Sequence, residues 1–359
     1  MNEFSQIYRG RRVLLTGHTG FKGSWLALWL TRLGANVTGV ALPPETSPSH
    51  WDLLSLDMPS HFVDIRNRDA LAQVISSVKP ELVFHLAAQP LVRLSYREPV
   101  ETWSTNVMGT VNLLDCCRQT ESVQGVLVVT SDKCYQNREW VWGYREDDSL
   151  GGHDPYSASK AATELVVESF RKSFFHATAA LSLASARAGN VIGGGDWSED
   201  RLIPDIVRAV TTNATVDIRS PSSTRPWQHV LESLSGYLLL GQHLLSNPRE
   251  AAQAWNFGPT EEGNRSVQTV MENIAEQWPS VRWQISDNAS LHEARLLYLD
   301  STKARTQLHW QPAWGFREAI TATVDWYRAF LNDKAVISNL QLEQYVQAAT
   351  QARLSWTTP

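Results

Sequence analysis

Cysteine is scarce in this chain: three residues, Cys116, Cys117 and Cys134, the first two adjacent. An odd count with no Cys-x-x-Cys or Cys/His spacing argues against a disulfide framework and offers no structural metal site. No apolar run reaches eighteen residues, so no transmembrane helix is expected. A glycine loop begins at Thr16, too early to leave room for a cleaved signal peptide. A reducing, cytoplasmic location is the default these absences leave. Excess positive charge is missing as well. The net charge of −5 gives nucleic acid no electrostatic footprint. Internal repeats and low-complexity tails are absent too. What remains is an ordinary globular balance, 43% hydrophobic and 19% charged over 359 residues, enough for one two-lobed domain or two domains. The fifteen tryptophans are expected to serve mostly in packing, with any beside a ligand groove suited to a base or sugar ring.

Val13-Leu14-Leu15 reads as a strand, followed at once by Gly17-His18-Thr19-Gly20-Phe21-Lys22-Gly23 and an apolar helix closed by Gly34. Strand, glycine loop, helix is the context that makes a dinucleotide fingerprint credible. Gly17 suits the tight turn, Gly20 the close approach to a pyrophosphate and Gly23 the helix–strand contact. Lys22 either adds a point charge to that pyrophosphate or faces solvent. The second strand, residues 36–42, ends without an acidic residue for a ribose hydroxyl or an arginine for a 2′-phosphate, so it does not separate NAD from NADP. Residues 47–60 look like a loop. Asp64, ending a third strand over 61–66, either contacts an adenine amine or caps the following helix. The fourth strand ends in Ala87 and Ala88, small enough for a cofactor to lie close, and residues 100–118 read as one long helix containing Asn106. Strict alternation of strand and helix predicts an α/β fold, a Rossmann-type doubly wound parallel sheet.

The valine-rich run 125–129 is a buried strand whose carboxyl end carries Thr130-Ser131-Asp132-Lys133, where open α/β sheets place their ligands. Tyr156 and Lys160 stand at i and i+4 on a helix and share one face. A phenol is a poor base at neutral pH, and an ammonium one turn away favours the phenolate and can hold a cofactor ribose hydroxyl. A sixth strand over 180–186 leads into a glycine-rich loop, residues 187–197. Beyond it the rhythm breaks. The expected division is a dinucleotide-binding domain over 1–188 with a returning segment about 226–255, and a smaller mixed α/β substrate lobe over 189–225 and 256–359. Arg201, Arg225 and Arg295 are candidates to face an anionic group there. Residues 319–330 form an amphipathic helix, and 340–352 a further helix or a partner contact.

Together, Thr16 to Gly23, Asp64-Ile65, His85-Leu86-Ala87-Ala88, Asn106, Thr130-Ser131-Asp132 and Tyr156…Lys160 resemble the extended short-chain dehydrogenase/reductases acting on nucleotide sugars, over about residues 10–330. Within that superfamily, residues 17–26, 130–135 and 187–197 resemble the CDP-glucose 4,6-dehydratase group, in which a lysine follows the aspartate where dTDP- and GDP-sugar dehydratases carry Asp-Glu. The resemblance implies NAD, bound by Gly17, Gly20, Phe21, Lys22, Gly23, Asp64, Ile65, Leu86, Ala87, Ala88, Asn106, Tyr156 and Lys160. It also implies a nucleotide-diphosphate sugar substrate, CDP-glucose, with Asn190 and Arg225 on the diphosphate side; Arg201 stays a candidate for the same charge from its place in the lobe, and no metal is expected. The implied chemistry is transient oxidation at C4 by Tyr156, Lys160 and Ser131, loss of water across C5 and C6, and return of hydride to C6. Asp132 as acid and Lys133 as base is the natural division, and it needs a neutral Lys133; a salt bridge to a neighbouring carboxylate is the other reading of that lysine. The same likeness implies a role in deoxysugar biosynthesis of the lipopolysaccharide O-antigen type. It implies a homodimer or homotetramer as well, paired through the helices 100–118 and 156–171. A 4-epimerase would share Tyr156 and Lys160 but needs no C5 acid/base pair.

Overall fold

The computed structural model describes residues 3–175, 181–286 and 295–357. The chain begins its sheet with β1 (Arg12–Thr16), buried from its second residue onward. Helix α1 (Phe21–Arg32) follows directly. It is buried continuously from Gly23 to Leu30, because it is covered on both sides and so is apolar all round. Next come β2 (Asn36–Ala41), α2 (His50–Leu54), β3 (Ser60–Phe62), α3 (Arg68–Val78) and β4 (Leu82–His85). Two short helices, α4 (Val92–Arg97) and α5 (Pro99–Trp103), precede one π-helical turn, Ser104–Met108, and α6 (Gly109–Arg118). Strand β5 (Gly125–Val129), helix α7 (Pro155–Ser173) and strand β6 (Ser182–Ala188) complete the alternation.

Further on, β7 (Val191–Ile192), α8 (Leu202–Thr211), β8 (Val216–Ile218), β9 (Thr224–Pro226) and β10 (Gln228–His229) are short, and α9 (Val230–Ser246) is long and almost wholly buried. After α10 (Pro248–Ala251) comes β11 (Ala254–Phe257), then β12 (Asn264–Ser266), α11 (Val267–Gln277), β13 (Trp283–Ile285), α12 (Thr302–Gln307), α13 (Phe316–Asp333) and α14 (Ser338–Gln351). The main sheet has seven strands in the order β11-β6-β5-β4-β1-β2-β3, and every pairing in it is parallel. The expected doubly wound sheet is therefore present, and its order reverses between β1 and β4. That switch point opens a crevice at the carboxyl ends of the strands. Small two-stranded pairings, β7 with β10, β8 with β13 and β9 with β12, carry the remainder.

Several local expectations change. Residues 47–60 are not all loop, since Ser49 caps α2 by accepting from the Asp52 amide. Its neighbour His50 is buried between Ser24 Oγ and Ser338 Oγ, each 2.8 Å from a ring nitrogen. The third ladder stops at Phe62, and Asp64 turns back onto Arg66 instead of continuing the strand. Helix 99–118 is continuous in direction but widens by the π turn, whose residues Asn106 and its neighbours a regular helix would rotate elsewhere. Residues 254–257 join the main sheet, with Asn256 opposite Arg187, two residues past the boundary expected at 255. The sixth strand runs from Ser182; Ala180, where it was expected to start, lies outside the described residues.

Tryptophan explains much of the packing. Trp25, Trp29, Trp255, Trp310, Trp326 and Trp356 are fully buried. Trp29 on α1 meets Tyr345 of α14 and Trp356 at centroid distances of 5.7 and 5.6 Å, and Phe4 stacks on Trp356 at 5.0 Å. The far side of α1 is thus closed by residues more than three hundred positions away.

Candidate active site

One cleft of about 1600 Å³ lies over the carboxyl ends of the strands, lined from Gly17 through Leu86, Ser131 and Tyr156 to Asn190 and Arg225. A single small-molecule pocket usually measures about 300–1,000 Å³, so the cleft has room for two ligands side by side.

Its first wall is the glycine turn. Gly17 has φ +76°, and a Cβ there would lie 2.7 Å from the Ala87 backbone nitrogen, so only glycine fits the turn against the end of β4. A Cβ on Gly23 would lie 1.9 Å from the Gly17 carbonyl oxygen, which is the close helix–turn contact expected of it. The N-cap Gly20 provides no side-chain acceptor, leaving the first-turn amides of α1 directed at the cleft. Thr16 Oγ1 stands 2.7 Å from His85 Nδ1 and accepts from the Ala87 amide at 3.2 Å, locking the ends of β1 and β4 together beneath Leu86, Ala87 and Ala88. This cradle fits the pyrophosphate of a dinucleotide.

Asp64 and Ile65 line the neighbouring stretch. Asp64 does not cap α3; Asn67 does, accepting from the Ala70 amide. Instead Asp64 pairs with Arg66, whose hydrogen bonds hold its carboxyl below the ordinary range. Asn106 does not line the cleft. It is 2% exposed, its Oδ1 accepts from the Gln89 amide at 2.8 Å, and its Nδ2 donates to the Gln89 carbonyl and to Ser159 Oγ. The π turn aims it at the tyrosine helix, so it stands behind that helix. Nor does Lys22 face solvent. Its amine donates to Tyr237 Oη at 3.1 Å inside the cleft wall.

The candidate reacting groups converge on the ends of β5 and α7. Asp154 caps α7, accepting from the Ser157 amide at 2.9 Å, and Pro155 occupies the first helical position. Tyr156 is fixed by its own amide, which donates to Ser95 Oγ at 3.1 Å. Burial pushes the Tyr156 phenol up to about 12, while the adjacent Ser131 hydroxyl pulls it back. Lys160 points under the strand, Nζ 3.4 Å from the Val129 carbonyl. Burial lowers its ammonium to about 8, opposed first by the charge of Glu164. Ser131 Oγ donates to Asp132 Oδ1 at 3.0 Å and accepts from the Lys133 amide. Lys133 Nζ lies 3.6 Å from Asp132 Oδ1 and 3.4 Å from Asn190 Oδ1. Both readings of that lysine therefore meet at one point: it is ion-paired, and the pair is with the candidate acid.

Opposite stand the candidates for the anionic side. Arg201 is already paired with Asp196, at 2.9 Å, and both line the cleft. Arg225 lines it too and donates to the Thr224 carbonyl at 2.8 Å. Arg295 does not line it; its amide donates to Glu139. Trp197 and Trp227 are the tryptophans on the cleft wall.

Three features escaped the sequence. Tyr237 comes from the middle of α9, with no motif around it. Asp196 was visible only as part of the glycine-rich loop. The third is a buried network in which Glu164, one turn beyond Lys160, accepts from Thr130 Oγ1, Ser185 Oγ and Arg187 Nη2. The i+8 spacing from Tyr156 was the available signal for Glu164.

Comparison with known proteins gives the same picture. The GDP-mannose 4,6 dehydratase family model matches residues 14–323. A CDP-glucose 4,6-dehydratase of Salmonella typhimurium is 49% identical over 96% of this chain and 99% of its own length. A UDP-glucose 4-epimerase of Mycoplasma pneumoniae is 24% identical, over 89% and 98%. Among solved structures, an epimerase of Methanothermobacter thermautotrophicus superposes with a TM-score of 0.81 at 25% identity, covering 96% of this chain and 97% of that one. MoeE5, solved with UDP-glucose and NAD, gives 0.74 at 26% identity, over 89% and 99%. The resemblance read from the motifs is borne out: this chain belongs to the GDP-mannose 4,6 dehydratase family.

Proposed function

We propose that this enzyme is an NAD-dependent hydro-lyase that converts CDP-D-glucose to CDP-4-keto-6-deoxy-D-glucose and water. The observation that carries the reading is the joining of Ser131, Asp132 and Lys133 to Tyr156 and Lys160 in one cleft sized for two ligands. Near-half identity along the whole length of a CDP-glucose 4,6-dehydratase supports the choice of substrate. The glycine turn would hold the NAD pyrophosphate, Asp64, Ile65 and Leu86 to Ala88 the adenosine side, and Tyr156 with Lys160 the nicotinamide ribose. NAD, when bound, supplies a reversible two-electron oxidation, taken at C4 and given back at C6.

The chain's own groups handle the protons. Tyr156 Oη removes the C4 hydroxyl proton, with Ser131 beside it and the Lys160 cation favouring the phenolate. The resulting C4 ketone acidifies the C5 proton. Asp132 and Lys133, paired at 3.6 Å, then divide the remaining work, one taking the C5 proton and one protonating the departing C6 hydroxyl. Asn190, Arg201 and Arg225 meet the diphosphate, whose charge cannot be buried unpaired. An epimerase would have no use for Asp132 and Lys133 as an acid/base pair.

The reading carries a division of labour, with residues 1–188 and the returning segment about 226–255 binding the dinucleotide and the remainder binding the sugar nucleotide. It also carries a reducing, cytoplasmic setting, in keeping with three free and buried cysteines and with no helix among the described residues long and apolar enough to cross a membrane. A homodimer or homotetramer paired through the helices at 99–118 and 155–173 suits the exposed Val100, Trp103, Met108 and Leu165 on those helices. The product suits deoxysugar biosynthesis of the lipopolysaccharide type. The test is incubation with CDP-, dTDP-, UDP- and GDP-glucose in turn, in deuterated water. A 4-keto-6-deoxy product from CDP-glucose, carrying deuterium at C5, is expected. An epimerised sugar, or turnover of another nucleotide alone, overturns the assignment.

A further inference from the structure

Strand β5 ends at Val129, and Thr130 adds one more bond to the sheet, its amide donating to the Ala186 carbonyl at 2.9 Å. The chain then leaves for the turn at 131–134, which carries Ser131, Asp132 and Lys133, and comes to rest at Tyr135. Thr130 and Tyr135 are both buried, one at each end of that turn. Their side chains enter the same network. Thr130 Oγ1 donates to Glu164 Oε1. Tyr135 Oη accepts from Arg187 Nη1 at 2.8 Å and donates to Asn256 Oδ1 at 2.7 Å, with the guanidinium 5.0 Å from its ring centroid. Glu164 and Arg187 are themselves joined at 2.8 Å. One ion pair thus holds the entry of the turn with its carboxylate and the exit with its guanidinium.

Bonds inside the turn are mostly to itself. Ser131 Oγ meets Asp132 and the Lys133 amide, and the Cys134 amide donates to the Ser131 carbonyl at 3.2 Å. Such bonds set the shape of the turn, whereas its place in the cleft is fixed from its ends. Glu164 stands on α7 with Tyr156 and Lys160, so the helix that presents the phenol also grips the turn opposite it. Misplacing a reacting group by about 1 Å can cost about a hundredfold in rate.

We propose that the pair of Glu164 with Arg187 brackets this turn: both are positioning residues that hold Ser131, Asp132 and Lys133 at the distance from Tyr156 that the reaction needs. The proposal rests on the dehydratase reading above.

The experiment compares Thr130→Val, Thr130→Ser and Tyr135→Phe with the unaltered full chain at saturating NAD. The readouts are kcat and KM for CDP-glucose, NAD affinity by calorimetric titration, and hydrogen exchange over residues 131–135. Thr130→Val keeps the branched shape and drops the hydroxyl. It should lower kcat by about tenfold, leave KM and NAD affinity unmoved, and quicken exchange in the turn. Tyr135→Phe should do the same from the other end, and Thr130→Ser should restore both kcat and slow exchange. Replacing the pair as a whole, Glu164→Met with Arg187→Met, strands no charge and should give the same low kcat. Adding Thr130→Val to that protein should cost almost nothing more, because the arm has lost its anchor. An unchanged kcat in folded Thr130→Val and Tyr135→Phe, with only the melting temperature lowered, overturns the proposal. So does a Thr130→Val loss that is undiminished in the double variant. The unaltered enzyme separates the two readings: no 4-keto-6-deoxy product from it sinks the dehydratase assignment, whereas product from it with undiminished variants sinks the bracket alone.

Discussion

Glu164 and Arg187 form an ion pair of 2.8 Å with side chains only 3% and 4% exposed, joining the helix that carries Tyr156 to strand β6. Burial alone would push the Glu164 carboxyl up, but Arg187, Thr130 and Ser185 together hold it below its usual value. Breaking such a pair leaves one charge stranded. Arg187→Met is therefore expected to destabilise the fold by about 3–5 kcal/mol, read by urea denaturation. Adding Glu164→Gln to that variant should recover a large part of the loss. Equal stability of the single variant and the parent would contradict the account.

Tyr156→Phe keeps the ring that packs in the helix and removes only the hydroxyl. Turnover should fall by roughly 10²–10⁴-fold with the circular dichroism spectrum unchanged. The partner lysine adds a pH signature. Because burial brings Lys160 to about 8, it loses its proton as pH rises through that value, and the phenolate loses its support. Activity of the parent enzyme should decline on the alkaline side of about pH 8, a limb that steady-state assays in overlapping buffers would resolve.

Gly17→Ala tests the cradle. The left-handed backbone at φ +76° costs an alanine about 1–2 kcal/mol, and its Cβ would press on the Ala87 nitrogen at 2.7 Å. Calorimetric titration with NAD should show a clear loss of affinity, together with a lowered melting temperature. Retention of both would mean that the turn is not where the pyrophosphate sits.

Glu232 is 1% exposed on α9 and accepts from the amides of Ala313 and Trp314 and from Tyr345 Oη. Burial raises its carboxyl to about 7, against the pull of those three donors. A folded-state value above the unfolded one gives stability that is full at low pH and is lost as pH rises through about 7. Between about pH 4.5 and 7 the parent should lose on the order of 3 kcal/mol from this group. Glu232→Gln should flatten that slope in denaturant titrations run across the window. A slope identical in the two proteins would exclude Glu232 as its source.

Much of the site was legible because its residues sit on local signals. Gly17, Gly20 and Gly23 follow a strand and open a helix, Tyr156 and Lys160 share a helical face, and Ser131 to Lys133 end a valine-rich strand. What was not legible depends on partners distant in sequence. Lys22 turns inward because Tyr237 waits 215 residues later. Arg201 is an exception in distance, its partner Asp196 lying only five residues back, where the turn of the glycine-rich loop decides the pairing. Asn106 meets Ser159, 53 residues later, because the wider π turn rotates it toward the tyrosine helix. The helix at 50–54 was hidden by surrounding prolines and serines, though Ser49 supplied its cap.

The aromatic seam between Trp29, Tyr345 and Trp356 has an implication for how the enzyme comes into being. The helix that follows the glycine turn is packed from behind by residues translated more than three hundred positions later. An emerging polypeptide lacks those ring contacts until synthesis has passed residue 356. Firm coenzyme capture is accordingly expected only once that seam has closed.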